Sequence, residues 1–355
     1  MITPRPPALT LTAALLSAVL PWGHRPRPVP AGGEANLVRD PVAFLQRVGG
    51  LTPADLANLE RGSIIAKVID SGDRSEVFSL AVMRVKTTPA RALTRLREFE
   101  GRRGAPWILQ SGRVGSAPSA GDFAAMTLDA GDVKHLGKCV VNACDLRLPA
   151  EQIERFRREV DWSSDTRIDR ANALFRQMLA AYSASYLQGG NAALFRYDNN
   201  DDPVRIADGL RLLTERFGVL RDTLPDLHAY LESFPQGHPE GAEDALYWVK
   251  EKFWLVNVLS LSHATVADRP TPAGRLVLVL SKQLYATHYF ESSLGATIFL
   301  EGASGWGPHL IYINRTRADI RRTGFTWFER VLLKYLVKDR LEAQSKYLRA
   351  QLEKP

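Results

Sequence analysis

The last hundred or so residues constrain the fold of this chain more than any other part of its sequence. From Asp244 to Asn314, runs of aromatic and β-branched residues with two-residue periodicity are broken at Gly and Pro, a pattern typical of consecutive β-strands. From about Phe325 to Glu353, apolar residues recur at helical spacing, as in one long amphipathic helix. The combination predicts an α+β fold, with a curved antiparallel sheet and a long C-terminal helix packed across it.

Two arrangements of this helix and sheet are compatible with the sequence. If the sheet is curved, the space between its concave face and the helix becomes a pocket, and pockets that are mostly apolar with a few polar groups bind small molecules. Alternatively, the helix only covers one face of the sheet and no cavity is left.

The sequence upstream adds two strands and a helical block. Gly62–Ile69 and Glu76–Val85 have the composition of strands joined by a hairpin turn, and residues from about 149 to 240 are rich in helical patterns. Two early strands are few for an independent sheet. We therefore predict one α+β domain over residues 36–355 with a helical insertion at about 149–240. The alternative is two domains with a boundary near Pro239.

Two stretches of the chain resemble the beginning and the end of a known superfamily. Ala66–Leu96 is similar to its opening strands and helix, and Gly324–Glu353 resembles its closing helix. The superfamily is the helix-grip group of steroidogenic-acute-regulatory-related lipid-transfer (START) and polyketide-cyclase-like proteins. The resemblance covers about residues 60–100 and 245–353 and rests on the order of the elements. It implies a shared cavity and carries over no catalytic residue, and the helical block departs from the superfamily's compact form.

The N-terminus resembles an export signal. Arg5 precedes an apolar stretch, Ala8–Leu20, and a proline-rich segment, Pro21–Gly33, follows. The apolar stretch suits a signal peptide and is too short for a membrane-spanning helix. We therefore predict that residues 1–35 are a signal peptide and linker, and that the mature protein is periplasmic or secreted. The alternative is a disordered tail on a cytosolic protein.

The charge of the chain argues against nucleic acid as a partner. The formal net charge of +7 drops to +4 if residues 1–33 are removed, because three arginines leave with them and no acid does. The remaining positive charge is dispersed, and nucleic-acid binding needs a concentrated basic surface. A charged stretch from Arg315 to Arg322 suggests either a solvated connection or a mouth that contacts an anionic membrane surface.

The two cysteines of the chain, Cys139 and Cys144, lie close together. In an exported protein two close cysteines favour a local disulfide, which would need a turn that Asn142 and Ala143 could supply. Two unpaired thiols, or a metal or redox site for which only His135 is nearby, are the alternatives. We predict the disulfide and no metal site.

The pocket arrangement predicts a monomeric binding protein for a hydrophobic or amphipathic small molecule, such as a lipid, with no cofactor. The residues that we expect to line its site are Tyr247, Leu259, Tyr285, His288, Tyr289 and Tyr312.

An enzyme that uses the same cavity is the alternative function. A histidine among apolar residues can act as a general acid or base, and the candidates are His288 and His263, with Glu251 or Glu291 as the orienting carboxylate. The same histidines would equally suit a protein core in which backbone carbonyls satisfy them. The enzyme hypothesis requires that an imidazole faces open space.

Overall fold

An antiparallel sheet of eight strands forms the centre of the computed structural model of this chain. The structure describes residues 37–98, 105–253, 256–271, 274–301, 307–318 and 327–354. The strands are β1 (Ile65–Ile69), β2 (Glu76–Arg84), β3 (Ile108–Val114), β4 (Arg196–Tyr197), β5 (Val204–Arg205), β6 (Glu243–Phe253), β7 (Val256–Thr271), β8 (Gly274–Ala286), β9 (Phe290–Leu300) and β10 (His309–Ala318). The predicted signal peptide and linker lie outside the described residues.

The order of strands across the large sheet is β1-β2-β10-β9-β8-β7-β6-β3, and β4 pairs with β5 separately. Every neighbouring pair is antiparallel, and the sheet is curved. The early hairpin β1-β2 therefore joins the same sheet as the late strands, because β2 pairs with β10.

The helices lie before β1, between β2 and β3, between β3 and β6, and after β10. They are α1 (Pro41–Gly49), α2 (Pro53–Glu60), α3 (Pro89–Arg97), α4 (Ala130–Leu136), α5 (Ala150–Glu159), α6 (Arg167–Gly189), α7 (Ile206–Glu215), α8 (Gly218–Thr223), α9 (Pro225–Ser233) and α10 (Trp327–Leu352). The predicted α+β class, with a curved antiparallel sheet and a long C-terminal helix, is confirmed.

Local sequence signals explain where several helices begin. The side chain of Thr52 caps α2 by accepting a hydrogen bond from the backbone N–H of Asp55, and the Asp55 carboxylate in turn accepts one from the Thr52 N–H. This capping box satisfies two N–H groups that a helix start leaves without partners. Pro53 occupies the first turn, where its missing N–H costs nothing.

Helices cover both faces of the sheet. On the outer face, alternate residues such as Leu80, Leu278 and Ile298 pack in one core with α1, α2 and α7–α9, and Leu246, Leu259 and Leu261 pack in another with α4–α6. On the inner face, α3 and α10 pack against the sheet. Because neighbouring residues of a strand point to opposite faces, the two faces carry different side chains.

The predicted disulfide is present. Cys139 and Cys144 are joined with 2.06 Å between their sulfur atoms, and their Cα atoms lie 4.4 Å apart. Asn142 has a φ of 68° in the intervening turn, a left-handed conformation that asparagine tolerates better than most residues. The bridged loop is attached to the rest of the helical segment by the backbone of Asp198 and Asn199, which accepts hydrogen bonds from Asn142 and Cys144.

Candidate functional site

A cavity of about 210 Å³ lies between the inner face of the sheet and α10. Its floor is built by residues of β2 and β6–β10, and Val337, Arg340, Leu341 and Gln344 of α10 form its roof. The apolar residues of the floor are Val77, Val249, Phe253, Val279, Phe290 and Ala318. The polar ones include Ser79, Ser260, Ser262, Ser281, Gln283, Ser293, Thr297, Asn314 and Thr316.

Small side chains on the floor keep this space open. On β7, Ser260 and Ser262 face the cavity, whereas Leu259 and Leu261, on the alternate positions, are buried in the core on the outer face. On β9, Gly295 lies on the floor, and a Cβ atom there would lie 3.1 Å from Asn314 Nδ2. The strands thus fill the outer face with large apolar residues and leave volume on the inner face.

Several polar groups of the floor bond to one another. The Tyr247 hydroxyl lies 2.6 Å from Ser281 Oγ. On the neighbouring strands, Asn314 Nδ2 donates to Ser293 Oγ at 3.1 Å, and the Thr316 hydroxyl donates to Asn314 Oδ1 at 2.6 Å. These bonds fix the side chains and partly satisfy them before any ligand enters.

Gln283 differs from these residues. Its Oε1 atom is buried and has no hydrogen-bond partner within the described part of the chain, although its side chain lines the cavity. A buried acceptor without a partner costs about 1–3 kcal/mol. A ligand that brings a donor to this atom would recover that free energy.

The cavity wall carries one charge of each sign. Arg340 of α10 donates to the backbone carbonyl of Lys252 and lies over the Trp107 ring, with its guanidinium carbon 5.1 Å from the ring centroid. Burial lowers the pKa of Arg340, and the negative charges of Glu251 and Asp339 oppose this shift. Because Glu251 also lines the cavity, the site has no excess of either charge.

The structure places three of the six expected lining residues at the cavity. Tyr247 and Tyr312 lie on the inner face, and Tyr289 contributes from the turn between β8 and β9. Leu259 and Tyr285 instead lie in the core between the sheet and the helical segment.

A bulge explains the position of Tyr285. Ser262 pairs with Gln283 but its neighbour Leu261 pairs with Tyr285, so Leu284 is an extra residue on β8. Directly paired residues share a face, and an extra residue reverses the alternation beyond it. The expectation that Tyr285 lines the pocket is therefore wrong. Tyr285 lies on the outer face, where the centroid of its ring is 6.1 Å from that of Phe175 of α6.

Neither candidate histidine lines the cavity. His288 Nε2 lies 3.1 Å from Asp132 Oδ1 of α4. His263 is buried on the outer face, with Nδ1 2.8 Å from the Tyr186 hydroxyl and Nε2 2.9 Å from Asp244 Oδ1. Because both ring nitrogens of His263 already have partners, this ring is held in place and has no nitrogen left for a substrate.

Asp244 connects the buried groups around His263. Burial disfavours the charged form of Asp244, but hydrogen bonds from His263, Tyr230 and Thr265 outweigh it and lower its pKa to about 2. Burial lowers the pKa of His263, and the bond to Asp244 opposes this. The sequence does not single out Asp244 as a partner of His263, because only the pairing of β6 with β7 brings them together.

Lys282 is a second buried charge near this network. Its ammonium group donates to Asn191 Oδ1 at 2.9 Å and to the backbone carbonyl of Leu231 at 3.2 Å. Burial lowers the pKa of Lys282 to about 7, and Asp244 opposes this shift. Lys282 follows Ser281 on β8 and therefore points to the outer face, away from the cavity.

The charged stretch after β10 is partly described. Arg315 binds Glu76, and Arg317 donates to Asp73 at 3.0 Å, so both arginines pair with acids of the β1–β2 region. The later arginines of the stretch lie outside the described residues. Contact with a membrane surface stays a prediction.

No model of a known protein family and no curated protein matches this chain. Within the described ranges, no helix combines the length and apolar composition that a membrane crossing requires. The same residues contain no group of three or more His, Cys, Asp or Glu side chains that could hold a metal ion. Besides the cavity under α10, a space of about 590 Å³ is bordered by Arg113, Asp244 and His263.

Proposed function

We propose that this chain is an exported binding protein for a hydrophobic or amphipathic small molecule, which it holds between the inner face of the sheet and α10. The observation that carries the proposal is the cavity itself, whose floor is kept open by small residues such as Ser260, Ser262 and Gly295. Protein interiors are otherwise closely packed. A space of this kind, with apolar walls and a few fixed polar groups, is the usual form of a small-molecule site.

Export is the second part of the proposal. The Cys139–Cys144 disulfide supports it, because disulfides persist in oxidising compartments and are rare in the cytosol. The signal-like segment within residues 1–35 gives independent support from the sequence. The similarity to START proteins, in which a helix lies across a curved sheet, also supports a binding role and remains a prediction.

Extraction of the native ligand tests the binding role directly. The protein is purified from its own host, extracted with organic solvent and analysed by mass spectrometry, beside the variant Ser260→Leu. We expect a small molecule that copurifies with the wild type in near-stoichiometric amount and is depleted in the variant, because leucine would occupy the floor of the cavity.

A matched control separates cavity filling from a general effect of leucine. Ser185→Leu places the same side chain on an exposed position of α6, and we expect it to retain the ligand. The circular dichroism spectra and melting temperatures of both variants show whether they fold. A wild type with no extractable molecule, or equal loading of folded Ser260→Leu and wild type, would contradict the proposal.

A further inference from the structure

A second, smaller chamber of about 70 Å³ continues the cavity under α3 and α10. The two chambers share wall residues, among them Val279, Tyr312 and Leu341. The combined space is therefore longer than either chamber and follows the direction of the strands and of α10. An elongated ligand would use both chambers, whereas a compact one would use only the first.

The two ends of this space differ in chemistry. The wall of the second chamber is mainly apolar, with Met83, Leu96, Trp107 and Leu348 among its residues, and it also includes Arg95. Gln283 lines the first chamber and not the second, and its buried Oε1 atom has no hydrogen-bond partner among the residues that the structure describes.

The distance from the shared border to Gln283 follows from β8. Gln283 is four residues beyond Val279, which borders both chambers. At roughly 3.3 Å per residue, that separation is about 13 Å. A ligand with an alkyl chain of medium length would span this distance from Val279 to Gln283.

The charges of the wall favour an uncharged ligand. Arg340 and Glu251 border the first chamber, and Arg95, which pairs with Glu98 at 3.5 Å, borders the second. Each arginine of the wall thus has an acid nearby, and neither chamber offers a concentrated charge to an ion. Transfer of an unpaired charge into such a site would be unfavourable. Gln283 Oε1 is an acceptor, so the ligand group that meets it has to be a hydrogen-bond donor.

We infer that the ligand is an elongated, uncharged amphipathic molecule with its apolar end beside Trp107 and a donor group, such as a hydroxyl or an amide N–H, at Gln283. This inference rests on the proposed function and adds the class and the orientation of the ligand. It predicts a preference for alcohols or amides over ethers and esters of the same length.

Quenching by bromine tests the orientation. Delipidated protein is titrated with dodecanol and with ω-bromododecanol, which carries bromine at its apolar end, while tryptophan fluorescence is recorded. We expect stronger quenching by the brominated alcohol, because bromine quenches an indole that it contacts, and loss of the difference in Trp107→Phe. Competition between the two alcohols shows that they share one site. Equal quenching by both bound alcohols would overturn the orientation.

The donor group is tested with Gln283→Leu and with dodecyl methyl ether, which has no donor. Loss of one hydrogen bond should weaken dodecanol binding about tenfold, which corresponds to about 1.4 kcal/mol, and should leave ether binding nearly unchanged. Gln236→Leu, at an exposed position, is the control and should bind both probes as the wild type does.

The outcomes distinguish this inference from the proposed function. If dodecanol and the ether bind equally to the wild type, or if neither binds, the inference is wrong. The proposed function would still hold if extraction of the wild type yields a ligand and extraction of the Ser260→Leu variant does not. If extraction yields nothing, the proposed function fails as well.

Discussion

His263 Nε2 lies 2.9 Å from Asp244 Oδ1, so a buried imidazole and a carboxylate are joined across β6 and β7. The other ring nitrogen lies 2.8 Å from the Tyr186 hydroxyl of α6, and Asp244 also accepts a hydrogen bond from Tyr230 of α9 at 2.6 Å. The network therefore ties two helices to the outer face of the sheet. The contribution of this network to the free energy of unfolding should depend on pH through His263.

We expect the free energy of unfolding to fall as the pH drops below about 6.5, and His263 to cause part of this fall. Burial lowers the pKa of His263 from 6.5 in the folded protein, so below pH 6.5 the unfolded chain takes up a proton that the folded chain resists. Stability is then lost as the pH falls from 6.5 towards the folded pKa. Urea unfolding at a series of pH values measures this slope.

The variant His263→Gln should unfold more easily at neutral pH and show a shallower slope between pH 6.5 and pH 5. His309, whose pKa burial lowers to about 4, supplies part of the slope that remains. His135→Gln removes a half-exposed histidine and serves as the control. An unchanged slope in His263→Gln would show that this ring does not control the acid sensitivity.

Gly112→Ala should destabilise the protein by about 1–3 kcal/mol, the usual cost of overpacking. A Cβ atom at Gly112 would lie 2.5 Å from Nε1 of the buried Trp248, whose N–H donates to the backbone carbonyl of Asp122 at 3.0 Å. The indole would have to move and weaken that bond. Thermal unfolding followed by circular dichroism measures the change.

The control for this prediction is Gly131→Ala in α4, where nothing lies within 4 Å of the added carbon. Alanine favours helix over glycine by up to about 1 kcal/mol, so this variant should be as stable as the wild type or more so. Equal effects of the two substitutions would rule out the clash with Trp248.

Periodicity made much of this fold predictable, because alternation along a strand and helical spacing are local properties of the sequence. The late strands, the hairpin of β1 and β2 and the long α10 follow from such patterns. The pairing of β2 with β10 does not, since it joins residues more than two hundred positions apart, such as Leu80 and Ile313. Element order suggested one sheet but no register.

The site was less predictable for two physical reasons. Tyr247, Tyr285 and Tyr312 were all expected to line the pocket, but the extra residue at Leu284 turned Tyr285 to the outer face. The cavity itself depends on small residues, Ser260 and Ser262, which sequence patterns treat as ordinary polar positions. Their importance appears only when the opposite wall, α10, is in place.

Glu76→Ala should lower the free energy of unfolding by about 3 kcal/mol or more. The Glu76 side chain is fully buried and binds both Arg216, which directly follows α7, and Arg315 of β10. Arg315 also lies over the Phe78 ring, with 3.9 Å from its guanidinium carbon to the ring centroid. Removal of the carboxylate leaves Arg315, whose side chain is only 14% exposed, without this partner, and loss of one partner of a buried pair typically costs 3–5 kcal/mol.

Urea unfolding of Glu76→Ala beside Glu240→Ala, an exposed acid, checks this prediction. The control should change stability by less than about 0.5 kcal/mol. Because the Glu76 carboxylate is shielded from solvent, the difference should persist in high salt. A difference that vanishes in high salt would mean that the pair behaves as a solvated surface interaction.

The variant Cys139→Ser/Cys144→Ser should fold, with stability reduced by about 2 kcal/mol or less. The bridge closes a short loop, for which the chain-entropy model gives about that value. The backbone bonds from Asn142 and Cys144 to Asp198 and Asn199 would still hold the loop in place. Urea unfolding of the wild type with and without reductant, and of the variant, measures the effect: the reduced wild type and the variant should agree, and the oxidised wild type should be more stable. If all three unfold at the same urea concentration, the bridge contributes nothing to stability.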